Sequence, residues 1–284
     1  MPLTALGGAA GTVVIGDTTT TVFPQILHPN VYAYVAAQAS IGYAMTRTEI
    51  DAINNLVWGL VNMDLWSRMQ VIYPFIGSSL NAQKWNLKDT STFNITFTGT
   101  GFTTSTANGL QKTVADALSY GTTGYTPSVS GSSFNFHQSI YIGTTQATSI
   151  ITPIGAFSSP TKLGLLTGNG SSVFGIQNIS SSSVQYNVFT TRATNTGFVI
   201  GSRTASNNIM LFINGVLIGS NTTTATSDIL PTNQVGIGIT TSGIAYASTQ
   251  AFRFATIGTG LNPDQARNLS ILVQAFNTTL ARQV

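Results

Sequence analysis

Two apolar runs meet at an Asn-Gly pair. Ile209, Met210, Leu211, Phe212 and Ile213 lead into Asn214-Gly215, and Val216, Leu217 and Ile218 lead out of it. A type I′ turn needs positive φ at both central residues, which Gly reaches freely and Asn tolerates. The pattern predicts an antiparallel hairpin deep in a sheet, at the centre of the stretch 202–220. Strand-like segments surround it near 133–142, 149–156, 162–167, 172–178, 184–191, 195–203, 207–213, 216–220, 233–239 and 245–257, with turn residues between them. That spacing predicts a β-sandwich or barrel. Upstream, 71–77 and 93–97 read as further strands, with Pro74 at an edge or bend. A short helix is expected over 110–118.

Two helical segments stand out. Thr46 and Glu49 have capping-box spacing, and Ile50, Ile53, Val57, Leu60 and Val61 follow on one face, which predicts a helix over 46–64. Its apolar stripe packs either on the sheet or on the same helix of sister subunits. Asn262, Pro263 and Gln265 start a second helix over 263–281, with Ala266, Leu269, Leu272, Val273, Phe276 and Leu280 as its stripe and Arg282 placed to complement the dipole.

Residues 1–45 are rich in Gly, Ala, Thr and Val, and Asp17 is their only charged side chain. They lack the polar, charged signature of a disordered tail. Thr12 to Ile15 and Thr21 to Phe23 have strand character. The segment is expected to be an assembly arm, with Val13, Val14, Ile15, Val22 and Phe23 as its contacts, adding a strand to a neighbouring subunit. The other reading is a small intramolecular ribbon. The chain thus divides into an arm, 1–45, and a β domain with its preceding helix, 46–284.

Composition sharpens this. Only 7% of the 284 residues are charged, against roughly 25% in ordinary soluble domains. A surface so poor in charge suits one covered by copies or partners. The net charge of +3 comes without any Lys/Arg cluster, so nothing points to nucleic acid. No cysteine is available for disulfide or thiolate chemistry. No basic residue precedes Arg47, so the charged start of a secretory signal is missing, and no apolar run has the length of a membrane span.

Catalytic chemistry finds little to work with. Glycoside hydrolysis asks for two carboxylates. Glu49 is the one glutamate and belongs to a helix cap, and Asp228 is the only acid over 130–260. A Ser-His-Asp hydrolase needs a histidine beside a nucleophile. His28 precedes Pro29 in the arm, and His137 alternates with aromatics on a strand, neither near a Gly-x-Ser-x-Gly elbow. Calcium at Asp228 with loop carbonyls would be a poor site, and no His/Cys spacing suits zinc. The reading is therefore non-enzymatic, with no metal and no cofactor. Sugar binding needs aromatic platforms and neutral polar groups. Tyr120 and Tyr125, in a Gly/Thr-rich loop, are the candidate exposed platforms; the competing reading has them filling the sandwich rim or a subunit contact. Trp85 is assigned to the core.

The residues carry a resemblance. Ser202-Arg203-Thr204, the hairpin at Asn214-Gly215, Val235 to Gly238, and Phe252 to Gly258 leading into the closing helix resemble the C-terminal half of LamG-like, concanavalin A-type jelly rolls. Leu65-Trp66 through Tyr73-Pro74-Phe75, on to Trp85-Asn86-Leu87-Lys88-Asp89, and the end from Ile257 to Leu280, resemble tailed-phage virion proteins bearing such a domain. The resemblance implies a two-sheet antiparallel jelly-roll sandwich in a virion structural protein, assembled in the host cytoplasm. A capsid decoration or head fibre comes first and a tail adhesin second. It also implies a homo-oligomer, with a trimer favoured, and other virion proteins as partners. The alternative class is a lectin module recognising host surface glycans.

Overall fold

The computed structural model describes residues 13–15, 18–20, 26–114, 118–132, 134–144, 150–158, 161–168, 173–179, 185–191, 196–224, 230–238 and 249–284. Its body is a sandwich of two antiparallel sheets. Strands β1 (Val13–Ile15) and β2 (Thr18–Thr20) pair separately as a short ribbon. One sheet has seven strands, in the order β12 (Gln185–Thr191), β11 (Val173–Ile179), β10 (Thr161–Gly168), β9 (Ile150–Ser158), β16 (Gly236–Ile237), β7 (Tyr120–Thr122) and β4 (Thr96–Thr98). The other has eight: β15 (Val216–Asn221), β14 (Asn208–Ile213), β13 (Gly197–Ala205), β8 (Phe136–Ile142), β17 (Ala251–Gly258), β6 (Gly109–Lys112) and β5 (Phe102–Ser105), with β3 (Met69–Tyr73) alongside the far half of β17. The helices are α1 (Pro29–Ser40), α2 (Arg47–Asn62), α5 (Pro263–Thr279) and the single turns α3 (Leu80–Gln83) and α4 (Pro127–Ser130).

Side-chain alternation along the eight-stranded sheet explains the long apolar runs. On β14, Ile209, Leu211 and Ile213 face the seven-stranded sheet, whereas Met210 and Phe212 face a second core formed with α1, α2 and α5. On β13, Val199 points to the first core and Phe198 and Ile200 to the second. A strand buried on both faces reads as a continuous apolar run, because neither side can be polar. The stripe of α2 (Ile53, Val57, Leu60) joins Tyr141, Phe198 and Phe254 in that second core. The stripe of this helix is thus covered within its own chain, with α1 and α5 beside it.

The hairpin forms as the sequence predicts, with Asn214 at φ 50° and Gly215 at φ 79°. Its two strands differ in burial, however. β14 is buried, but β15 is an edge strand, and Val216 is 61% exposed with Leu217 and Ile218 also exposed. The turn itself docks on α5: a Cβ on Gly215 would lie 3.1 Å from the Ser270 Cβ. Gly215→Ala therefore combines a positive-φ penalty with a tight contact and is expected to lower stability by about 1–2 kcal/mol, read from a urea melt.

Three expectations change. The helix expected over 110–118 is strand β6 where described: Leu110 enters the first core, and Gly109 turns the chain at φ 73°. Residues 29–40, placed in the arm, form α1. His28 caps it by accepting the Asn30 N–H, Pro29 occupies the first turn, and Val31 and Tyr34 are fully buried. Arg282, placed as a dipole complement, lies past the helix and turns inward. It donates to the carbonyls of Pro74, Phe75 and Arg253 at 2.6, 2.9 and 2.7 Å and to Asn277 Oδ1 at 2.9 Å. Of the five arm residues, Val13, Val14 and Ile15 pair with Thr20, Thr19 and Thr18 in the ribbon. Their side chains, and Val22 and Phe23 entirely, lie outside the described residues.

Candidate functional site

Neither tyrosine is an exposed platform. Tyr120 is half-buried on β7, paired with Thr98 on β4. Tyr125 is fully buried, its ring edge-on to Phe93 at 5.3 Å and tilted against Phe136 at 6.3 Å. The Gly/Thr loop is drawn inward because Thr123 N–H donates to Val235 O and Val235 N–H to Tyr125 O. The Tyr125 hydroxyl is buried as well, and burial keeps it protonated by pushing its pKa up. Tyr125 is among the residues around a pocket of 160 Å³, and Tyr120 is not.

The exposed aromatic surface lies on the helical side. Trp58 is 38% exposed on α2, off the buried stripe. The His28 ring stands edge-on between two indoles, 5.2 Å from Trp58 and 5.5 Å from Trp66. Its main-chain N–H donates to Asn54 Oδ1 at 2.9 Å, which ties the start of α1 to α2. Because Nδ1 accepts from Asn30 N–H, the neutral ring carries its proton on Nε2, where no described residue meets it. Burial, aided by Lys88, lowers the His28 pKa and favours this neutral form. Lys88 Nζ sits 4.1 Å over the Trp66 ring and donates to Trp66 O at 2.7 Å, leaving two further N–H groups. Ile26, exposed beside Asn54, extends the apolar surface. One patch thus offers an indole face, an imidazole N–H and an ammonium. Sequence spacing contained a signal for it: Trp58 falls seven residues after Asp51, on the wet side of α2. Trp85 is half-buried against the second core, as partial support for its core assignment.

The residues tested for catalysis are engaged otherwise. Glu49 Oε2 accepts from Thr46 N–H at 2.8 Å, and Oε1 accepts from the Tyr43 hydroxyl at 2.7 Å, completing the capping box. His137 Nδ1–H donates to Thr259 O at 2.6 Å, so Nε2 accepts from the Thr256 hydroxyl at 3.0 Å, which in turn accepts from Ser139 at 2.6 Å. All three side chains are fully buried, so no substrate reaches this hydroxyl–imidazole chain. Burial pulls the His137 pKa down to about 4. Asp228 lies outside the described residues. Among the described residues no three His, Cys, Asp or Glu converge on a metal position.

The fold is similar to solved binding domains. Domain 4 of AbnA, a GH43 extracellular arabinanase from Geobacillus stearothermophilus solved in complex with arabinotriose, aligns with a TM-score of 0.50 at 17% identity, over 72% of this chain and 98% of that one. The binding domain of Paraclostridial Mosquitocidal Protein 1 aligns with 0.55 at 11% identity, over 74% of this chain and 53% of that one. The binding domain of botulinum neurotoxin serotype D aligns with 0.54 at 12% identity, over 72% and 52%. The chain thus spans about half the length of the toxin domains. At such identities the likeness is one of fold, a jelly-roll-like sandwich. No protein-family model and no curated protein matches the sequence.

Proposed function

We propose that this chain is a non-enzymatic recognition protein of a tailed-phage particle, whose helical side holds an acidic host surface glycan against Trp58. The observation that carries the reading is the exposed Trp58 indole beside the His28 Nε2–H, which no described residue meets, with the Lys88 ammonium over the neighbouring Trp66 ring. An indole accepts the C–H face of a sugar ring, while the two donors suit a carboxylate on that ring. Support comes from the arabinotriose held by the arabinanase domain and from the receptor-binding role in the toxins' names, since these proteins share the fold. Support for the particle comes from the motifs over 65–89 and 257–280 and from the scarcity of charge. A glycan array tests recognition. Acidic glycans are expected to bind saturably, and Trp58→Ala to weaken them at least tenfold, about 1.4 kcal/mol or more. Silence from a folded protein overturns the reading.

A purely structural role is the second reading. It is favoured by the uncharged, exposed edge strand β15, because solitary proteins usually protect such edges with charge. In either reading the particle surface is the proposed location, with a capsid decoration or head fibre ahead of a tail adhesin. The residues before α1 would hold a homo-oligomer together, with a trimer favoured. Since α1 belongs to the packed body, the informative truncation removes residues 1–25. A folded monomer from it, beside an oligomeric full chain in solution-mass measurements, is the expected result.

A further inference from the structure

A groove of 630 Å³ lies between α5 and the hairpin turn and shares no residue with the Trp58 patch. Small-molecule sites usually measure roughly 300–1,000 Å³. Arg267, Ile271, Gln274 and Thr278 line the groove from the helix. At about 3.6 residues per turn these positions form one stripe, so their side chains leave the same face of α5. Asn214, Gly215 and Val216 line the other side, and the buried Phe198 lies at the base. Each side carries an apolar side chain open to water, Ile271 at 51% exposure and Val216 at 61%. Arg267 is the one charged residue of the described lining. It is exposed and makes no ion pair or hydrogen bond among the described residues. Asp264, one turn earlier on α5, does not line the groove. The oxygens of both lining amides are engaged. Asn214 Oδ1 accepts from Phe198 N–H at 2.8 Å, and Gln274 Oε1 accepts from the Tyr141 hydroxyl at 3.1 Å. Their NH2 groups meet no partner among the described residues.

We infer that this groove binds a small amphipathic carboxylate, its anionic end on Arg267 and its apolar body between Ile271 and Val216. A guanidinium takes a carboxylate through two parallel N–H donors, and the strength of that pair rises beside apolar walls that thin the water. Ile271 follows Arg267 by one turn, about 6 Å along the helix axis, so an alkyl chain of a few carbons reaches it from the anion. A cation would meet Arg267 with no carboxylate in the lining to offset the repulsion. A neutral polyol would leave the Ile271 and Val216 side chains against polar groups, and a plain hydrocarbon would leave the guanidinium without a counter-charge. The site is independent of the glycan patch, because none of its residues belongs to that patch.

The test follows the methyl signals of Ile271 and Val216 by NMR while the full chain is titrated with hexanoate. Acetate is the control without an apolar body, and 1-hexanol is the control without the anion. Both methyl signals should move and saturate with hexanoate, and each control should bind at least tenfold more weakly. Arg267→Gln should weaken hexanoate at least tenfold and bring it level with 1-hexanol. Ile271→Asn should weaken it by a similar factor and bring it level with acetate. Both side chains are exposed, so the melting temperatures of these variants should stay close to that of the wild type. Trp58→Ala should leave hexanoate binding at the groove intact, so failure of the patch and failure of the groove are distinguishable. Three results would overturn the inference: no saturable shift at Ile271 and Val216 in the folded protein, equal affinity for hexanoate and 1-hexanol, or hexanoate binding that survives Arg267→Gln and moves the Trp58 indole instead.

Discussion

Replacing Arg282 with alanine is expected to lower the free energy of unfolding by about 4 kcal/mol. The guanidinium is almost fully buried, lies 5.2 Å over the Phe276 ring and makes four hydrogen bonds, all to neutral acceptors. It joins the segment after β3, far off in sequence, to the bulged strand β17 and the last turn of α5. Burial, with Arg253 close by, pulls its pKa down to about 9, so the cation is retained at neutral pH at a solvation cost that those carbonyls offset. Truncation leaves three carbonyls and Asn277 Oδ1 without their donor and opens a cavity. Arg282→Lys should recover only part of the loss, because an ammonium cannot span the same fork. Urea melts measure both variants, and a shift of the alanine variant under about 1 kcal/mol would contradict the account.

The second large effect is acid sensitivity from His137. Its folded pKa is depressed to about 4 from an ordinary 6.5, chiefly by burial, with Arg68 adding to the shift and the Thr259 carbonyl opposing it. As pH falls below 6.5 the unfolded chain takes up the proton first, so stability present at neutral pH drains away toward pH 4. The total is about 3 kcal/mol. His28, also lowered, acts in the same direction, so the comparison with His137→Asn isolates the buried site. The wild type should lose stability more steeply than the variant between pH 6.5 and 4.5. Parallel profiles would show that His137 is not the titrating group.

Much of the fold was legible because local and tertiary demands agree. Asn214-Gly215 supplies the positive φ that the hairpin needs, and both long helices carry capping boxes that the structure forms. What misled was burial. The run Val216 to Ile218 resembles the run before the turn, yet an edge strand leaves it in water. In α1 the buried positions are Val31, Tyr34 and Gln38, and its alanines give no contrast between faces, so periodicity was silent. The site was harder still. Tyr125 has the loop context of an exposed ring, and only its pairing with Val235 turns it inward. Trp58 could be placed on the wet side of its helix by spacing, but His28 reaches it, and Lys88 reaches the neighbouring Trp66, from segments 30 residues away from Trp58 on either side.

The most direct test of glycan recognition uses the three indole N–H signals of Trp58, Trp66 and Trp85 in a nitrogen-15 correlation spectrum. On titration with an acidic glycan that binds the array, the Trp58 and Trp66 signals should shift together and saturate, while that of Trp85 stays still. Saturable binding that leaves both Trp58 and Trp66 unmoved would contradict the assignment of the patch.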